Sequence, residues 1–167
     1  LSDFATTGDL TLQSNALTQT GTVSAGGAAA LRVSGGPLVQ NAGTIQAGSV
    51  VLDGTLTNGV TLNGGAVIAS AGSILVNSSL VTVGANQLVA TTGQGTDISF
   101  AGGVTQAAGS RVSAQGNVTA ASLTQNGGTV AANFGNVAIG SVTQNAGTIT
   151  TARGNVTATS LLQNGGL

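Results

Sequence analysis

The chain has 167 residues, of which 28 are Gly, and it contains no Cys, His, Met, Trp or Tyr. Only 4% of its residues are charged, against about 25% in an ordinary soluble domain, and the formal net charge is −1. Few of the groups that catalysis or zinc binding requires are present, and three basic residues cannot form the stripe of a nucleic-acid-binding protein. We therefore expect no enzyme, no cofactor, no metal and no nucleic-acid partner.

The remaining composition excludes two further classes. A hydrophobic fraction of 41% with almost no net charge is unlike a disordered chain. No apolar run approaches the roughly 18 residues of a membrane-spanning helix.

The start at Leu1 lacks the basic and apolar regions of a signal peptide, and neither terminus is typical of a solenoid cap. We expect a processed chain, a segment of a longer exoprotein, or a unit that stacks end to end.

Short segments compatible with β-strands, separated by Gly and Asn, follow one another from residue 8 onward. Residues 8–12 and 17–19 come first, and residues 38–45 contain a strand, a corner and a second strand. We expect residues 67–74 to repeat this strand–corner–strand unit and residues 88–90 to start another. The spacing is irregular within 46–66 and 75–103, and least regular over 76–103, so the pattern predicts no register there.

From residue 104 to residue 167 the segments form a strict repeat of 19 residues. The rows read VTQAAGSRVSAQGNVTAAS, LTQNGGTVAANFGNVAIGS, VTQNAGTITTARGNVTATS and LLQNGGL. Each complete row holds three β-compatible pieces, and the Gly and Asn residues between them provide the positive φ that sharp corners need. No segment keeps the 3.6-residue apolar period of a helix.

Three strands and three corners per row predict an all-β fold, a single-stranded parallel β-helix or β-solenoid, with one rung per row of about 19 residues. Rungs stack about 4.8 Å apart and share one core. A mean rung of about 18 to 19 residues predicts about nine rungs in one domain over 1–167, a rod roughly 40 Å long. The predicted inward columns are Val104, Leu123, Val142 and Leu161; Val130 and Ile149; Val118, Val137 and Val156; and Ala120, Ile139 and Ala158.

A ladder of amide side chains is the second prediction from the repeat. By alternation, each Gln points to the same side as the Val or Leu two residues before it. We expect stacked amides that donate hydrogen bonds to neighbouring rungs, formed by Gln106, Gln125, Gln144, Gln163, Asn126, Asn145 and Asn164. In the alternative, these Gln side chains lie at a corner and face water.

Short, uncharged side chains form the predicted outward columns: Thr105, Thr124 and Thr143; Ser110, Thr129 and Thr148; and Thr119 and Thr157. Surface charge normally opposes lateral association, so these flat rows are a candidate interaction face. Alternatively, a regular Thr face orders water, as in ice-binding solenoids, but the columns are interrupted by Ala107, Ala138 and Leu162. Arg111 occupies an inward position of the repeat, which favours a bulge that turns Arg111 out and Val112 in over a local binding feature.

Other motifs have ordinary explanations. Residues 93–97 resemble one calcium-binding repeat but carry a single Asp, so we expect a loop. A lyase-like site would need clustered acids, and Asp53 and Asp97 are far apart in sequence. Three Asn-x-Ser/Thr motifs begin at Asn77, Asn117 and Asn155; the repeat itself explains the last two, and modification in a secreted setting remains an alternative.

The rows resemble the shaft repeats of filamentous-haemagglutinin-like exoproteins of bacterial two-partner secretion. The pattern Leu-x-Gln-Asn-x-Gly-Thr-Ile followed by Gly-Asn-Val-Thr carries the resemblance, which is good over 104–167, moderate over 8–75 and poor over 76–103. The resemblance implies a right-handed β-helix, an extracellular or cell-surface location, an outer-membrane secretion partner, and a role in adhesion or aggregation. Repeat-containing autotransporter passengers are the nearest rival family.

The primary hypothesis is a secreted structural and adhesive shaft for surface attachment, aggregation or a biofilm filament. Its expected partners are other copies of itself, packed laterally or end to end, and a host or polysaccharide surface. The alternative is a solenoid that binds ice or a carbohydrate, although only Phe4, Phe100 and Phe134 could stack on a sugar. An enzyme would need an acidic cluster formed by folding.

Overall fold

The computed structural model describes residues 1–55 and 57–167, and all regular secondary structure among them is β-strand. Every pairing between the strands is parallel and joins equivalent strands of successive turns. The chain is a β-solenoid of about 8 turns with ~21 residues per turn, which confirms the predicted fold class. No helix that could cross a membrane is found in the described part of the chain.

Each turn contributes one strand to each of three faces, called A, B and C in the order in which the chain reaches them. Face A contains β1 (Phe4–Thr6), β4 (Val23–Ala25), β7 (Thr44–Ala47), β10 (Gly65–Ala69), β13 (Gln87–Thr91), β15 (Arg111–Ala114) and residues 129–132 and 148–151. Face B contains β2 (Leu10–Ser14), β5 (Ala28–Val33), β8 (Ser49–Asp53), β11 (Ile74–Asn77) and residues 98–100, 118–120, 137–139 and 156–158. Face C contains β3 (Leu17–Gln19), β6 (Leu38–Gln40), β9 (Val60–Leu62), β12 (Leu80–Val83) and residues 103–106, 122–125, 141–144 and 160–163.

In the C-terminal half, some corners between faces are crossed by continuous strands. The long strands β14 (Ile98–Gln106), β16 (Val118–Ala132), β17 (Val137–Thr151) and β18 (Val156–Gln163) each pass from one face to the next. The strands of faces B and C in β16, β17 and β18 pair at the 19-residue offset of the sequence repeat, as between Val118 and Val137, whereas Ile98 of β14 pairs with Val118 at an offset of 20.

The predicted count of about nine rungs is too high, because the middle turns are longer than the 19 residues of the C-terminal repeat. Val50 pairs with Ile74, and Ile74 pairs with Ile98, so these turns carry 24 residues each. The additional residues lie in the corners, while the strands stay in register. This resolves the register of 46–66 and 75–103, except at Leu56, which lies outside the described residues. About eight turns at 4.8 Å make a rod of roughly 38 Å.

The prediction for residues 67–74 is also wrong, because it assigned their two strands to faces C and A, whereas they lie on faces A and B. Val67 pairs with Ile45 and belongs to face A, and Ile74 lies on face B. Leu88 likewise pairs with Ala66 on face A. Strands on faces A and C share the same alternation of inward and outward residues, so the pattern alone does not tell them apart.

The core is one continuous column of stacked apolar side chains. Face A supplies Ile45 and Val89, face B supplies Leu31 and Leu52, and face C supplies Leu38; all are fully buried. Each such side chain stabilises the fold by about 1.5–3 kcal/mol through its burial. On the last turn, the inward residues Val156 and Leu161 are exposed.

Close approach of successive corners explains one group of glycines. Gly43 has a φ of 76°, and a Cβ at this position would lie 1.9 Å from the carbonyl oxygen of Gly21 one turn away. Gly128, at the equivalent corner, has a φ of 77°. A side chain would be disfavoured there by backbone conformation and by steric overlap.

Candidate interaction surface

One outward column of face C runs the whole length of the coil. Its members are Thr18, Val39, Thr61, Thr82, Thr105, Thr124, Thr143 and Leu162, each in register with the next. The predicted residues Thr105, Thr124 and Thr143 are therefore neighbours, and each is half-buried. The column extends into the N-terminal half, where the sequence pattern predicted no Thr row.

Two further outward rows flank this column over the last three turns. Ser122, Ser141 and Ser160 are in register on one side. On the other side, the Asn145 side chain donates to the Asn126 side-chain oxygen at 2.8 Å, and Asn164 donates to Asn145 at 2.8 Å. The Asn ladder is thus exposed on the outside of the coil. The Ser and Thr rows lie about 6.6 Å apart along the strand and 4.8 Å apart between turns. Together with the Asn ladder at the adjoining corner they form an uncharged surface of hydroxyl and amide groups, which Leu162 interrupts on the last turn.

The Thr column predicted on face A is only partly present. Thr129 and Thr148 are in register, but their neighbour one turn earlier is Arg111. The prediction that Ser110 belongs to this column is wrong: Ser110 is buried, and its hydroxyl donates to the carbonyl of Ala107 at 2.7 Å. One additional corner residue shifts the chain, so that Arg111 is exposed and Val112 is buried, as the predicted bulge requires.

The outward column of face B is less regular. Thr119 lies above Ser99, to which its hydroxyl donates at 3.0 Å. Ala138 separates Thr119 from Thr157. Among the described residues, face C is therefore the one face that presents Thr over most of its length.

The Gln side chains lie inside the coil, not at a water-facing corner. Gln106 and Gln125 are fully buried and Gln144 nearly so, whereas Gln163, on the last turn, is exposed. The Gln125 amide nitrogen donates to the Gln106 side-chain oxygen at 3.3 Å and to the Thr148 carbonyl, one turn on, at 3.1 Å. These bonds join a corner to its neighbours inside the core.

Two middle turns lack this Gln, and a different residue supplies the amide. Leu62 and Val83 occupy the Gln column, in register with Gln40 and Gln106. Gln87, which replaces a corner glycine, is buried and donates to the Gln40 side-chain oxygen at 3.1 Å. The repeat did not indicate Gln87, because it stands at another position of the turn.

A second ladder, at the corner before face B, was also missed. The Asn117 side-chain oxygen accepts from the backbone of Asn136 at 2.8 Å, and Asn136 accepts from Asn155 at 2.8 Å. The Asp97 carboxylate accepts a hydrogen bond from the backbone N–H of Asn117 at 2.6 Å, and the Asp9 carboxylate accepts one from the backbone N–H of Ala28 at 2.8 Å. The Gly-Asn-Val triplets, which recur every 19 residues, are the feature of the sequence from which this ladder could have been predicted.

In the part of the chain that the structure describes, the acids do not form a cluster. Asp53 pairs with Arg32 on the outside of face B, at 3.1 Å, with 25% and 53% of their side chains exposed. Asp97 accepts hydrogen bonds within the corner ladder. In residues 1–55 and 57–167, no group of three His, Cys, Asp or Glu residues could hold a metal ion.

Comparison with protein-family models, curated proteins and solved structures finds no match to this chain.

Proposed function

We propose that the chain is part of a secreted structural and adhesive shaft, whose copies associate laterally into filaments or aggregates at a bacterial cell surface. The observation that carries the proposal is face C: its central column consists of uncharged residues in all turns, and so do both flanking rows over the last three turns. Charge is the usual deterrent against contact between β-surfaces, and this face has none.

The ladders support a shaft because they make the coil a rigid element. Backbone pairing, stacked apolar columns and the buried Gln amides all join each turn to the next. Such a coil can be lengthened turn by turn without a change in its cross-section. The resemblance to filamentous-haemagglutinin-like exoproteins also underlies the proposal, including export through an outer-membrane partner.

The size of face C indicates how association would proceed. A face roughly 38 Å long and about 13 Å wide offers about 500 Å² per copy. A stable interface buries about 800 Å² per partner, so one contact between two copies is weak. Lateral association is therefore expected at high concentration, or along arrays in which many contacts act together.

The proposal is tested by placing charge on the face. Thr124→Lys with Thr143→Lys introduces two like charges one turn apart at its centre, and should abolish filaments in negative-stain electron microscopy and reduce scattered light. The matched control is Thr119→Lys with Ala138→Lys, which adds the same charge one turn apart on face B. Filaments that persist in the face C variant, or equal loss in both variants, would refute lateral packing through face C.

A second candidate, ordering of water at an ice surface, is favoured by the same column, since six of its eight members are Thr. Monomers that slow ice growth, and lose this effect in Thr124→Val with Thr143→Val, would support it. Lateral filaments without any effect on ice growth would support the shaft instead.

A further inference from the structure

The charges are unevenly distributed along the rod. Residues 1–97 hold all four acids of the chain and one arginine, whereas residues 98–167 hold Arg111, Arg153 and no acid. Neither arginine forms an ion pair among the described residues, unlike Arg32. Two unpaired cations therefore lie on the last three turns.

A shallow groove of about 250 Å³ on the outside of face A begins at Arg111. It is lined in addition by Ser113, Gln115, Ala131, Asn133 and Thr150, among others. The Arg111 guanidinium donates to the Ser113 hydroxyl at 3.4 Å, so the side chain lies along the strand direction. Ala131 is in register between Ser113 and Thr150, and its short side chain creates the depression.

The polar groups of the groove keep free hydrogen-bonding capacity. The Asn133 amide nitrogen donates to the Gln115 side-chain oxygen at 2.9 Å. This bond uses neither the Gln115 amide nitrogen nor the Asn133 amide oxygen, and no partner of these two atoms is found among the described residues. One donor and one acceptor thus remain available to a ligand beside the hydroxyls of Ser113 and Thr150.

An aromatic ring and the second arginine adjoin the groove without lining it: Phe134 and Arg153 directly follow two of its lining residues, Asn133 and Ala152. Phe134 is 48% exposed. The Arg153 guanidinium carbon lies 5.3 Å from the ring centroid. Arg111 is in register with Thr129, five residues before Phe134, so the chain between these two positions can span at most about 18 Å.

We propose that this groove binds an acidic polysaccharide, such as a chain of uronic acids. Carboxylates would pair with Arg111 and Arg153, a sugar ring would contact Phe134, and hydroxyl groups would bond to Gln115 and Asn133. The inference rests on the proposed function, because it assigns a ligand class to the adhesive shaft.

The position of the groove favours a polysaccharide over an acidic peptide. An extended peptide commonly binds by adding a strand to a free sheet edge. This groove lies on the face of the sheet, where residues 111–114 already pair with face A strands on both sides. Side-chain hydroxyl, amide and guanidinium groups are what the surface offers, and these suit a hydroxyl-rich, carboxylate-bearing chain.

The test measures binding of oligogalacturonate to the full chain by calorimetry, with neutral dextran as the comparison polymer. We expect salt-sensitive binding of oligogalacturonate alone, weakened about threefold by Arg111→Gln or Arg153→Gln and about tenfold by both. Phe134→Ser should weaken binding about threefold to tenfold without removing the salt dependence. The matched control is Arg32→Gln, which removes the paired arginine of face B and should leave binding unchanged. Circular dichroism of each variant verifies the fold.

Several outcomes would overturn the inference. These are no binding at millimolar concentration, equal binding of dextran, or an equal loss in Arg32→Gln. Tighter binding of poly-glutamate than of oligogalacturonate would assign the surface to an acidic peptide. Filament formation is measured on the same samples: filaments without oligogalacturonate binding refute this inference alone, whereas binding without filaments refutes only the proposed lateral packing.

Discussion

A carboxyl group introduced at Gln125 tests whether the amide column is a dry, hydrogen-bonded part of the core. Gln125→Glu changes the side chain by one group and keeps its shape. The Gln125 amide nitrogen donates to the Thr148 carbonyl at 3.1 Å and to the Gly128 carbonyl at 3.3 Å, in a fully buried position. A protonated carboxyl can donate only one hydrogen bond, so we expect a loss of about 1–2 kcal/mol even at low pH.

The larger effect depends on pH. Burial disfavours the ionised form and would raise the pKa of the introduced carboxyl group by about 3 units above its unfolded value of about 4.3. Below that unfolded pKa the group is neutral in both states. As pH rises from about 4 to 7, the unfolded chain ionises and the folded chain does not, so stability falls by about 1.4 kcal/mol per unit, or about 4 kcal/mol in total.

The assay is urea unfolding followed by far-ultraviolet circular dichroism at pH 4.5 and pH 7.5, since the chain has no Trp or Tyr to report by fluorescence. Gln163→Glu is the control: the same change at an exposed position should cost less than about 0.5 kcal/mol at either pH. Equal destabilisation of Gln125→Glu at both pH values, or the same pH dependence in the control, would refute a buried amide column.

Three further perturbations test other parts of the coil. Gly128 has a φ of 77°, and a Cβ there would lie 2.4 Å from the Ser110 carbonyl oxygen. Gly128→Ala should therefore lower the free energy of unfolding by about 1–3 kcal/mol in a urea titration. Gly8→Ala, whose Cβ would have nothing within 4 Å, should leave the free energy of unfolding unchanged. Asn145→Ala removes two 2.8 Å bonds of the exposed Asn ladder and should cost about 1 kcal/mol; a cost no greater than that of Ser141→Ala would deny the ladder any stabilising role. Ala120 lies beside a small apolar cavity bounded by Phe100 and Ile139, and Ala120→Val adds methyl groups there. The substitution should raise the free energy of unfolding by about 0.5–1 kcal/mol and with it the midpoint of thermal melts. A lowered midpoint would show that the space is already filled.

The parts of the fold that the sequence predicts are those where every turn has the same length. In residues 104–167 the inward columns and the inward direction of Gln125 follow from alternation and the 19-residue period. The middle turns were not predictable, because their corners vary in length while the strands between them stay paired. Periodicity reports which side of a strand is buried, but it does not report to which face of a coil that strand belongs.

The candidate surface was predicted only in part for a related reason. Thr105, Thr124 and Thr143 lie in the regular rows, but Thr61 and Thr82 become their neighbours only once the corner lengths are known. Gln87 illustrates a second limit. It restores an amide to the core from a different position of the turn, and such compensation depends on three-dimensional proximity.

The scarcity of charge has a physical cause in the stacking itself. Any residue of a coil lies about 4.8 Å from its equivalent on the next turn, so a column of like charges would repel at every step. The charges that remain avoid this arrangement: Arg32 lies beside Asp53, and Asp97 is followed by Asn117. Arg153 lies over Phe134, and Arg111 has an uncharged Leu and Thr on its two sides. Stacking within the coil leaves Arg111 and Arg153 without an acidic partner. They are therefore the positions at which an anion from outside the chain would bind most favourably.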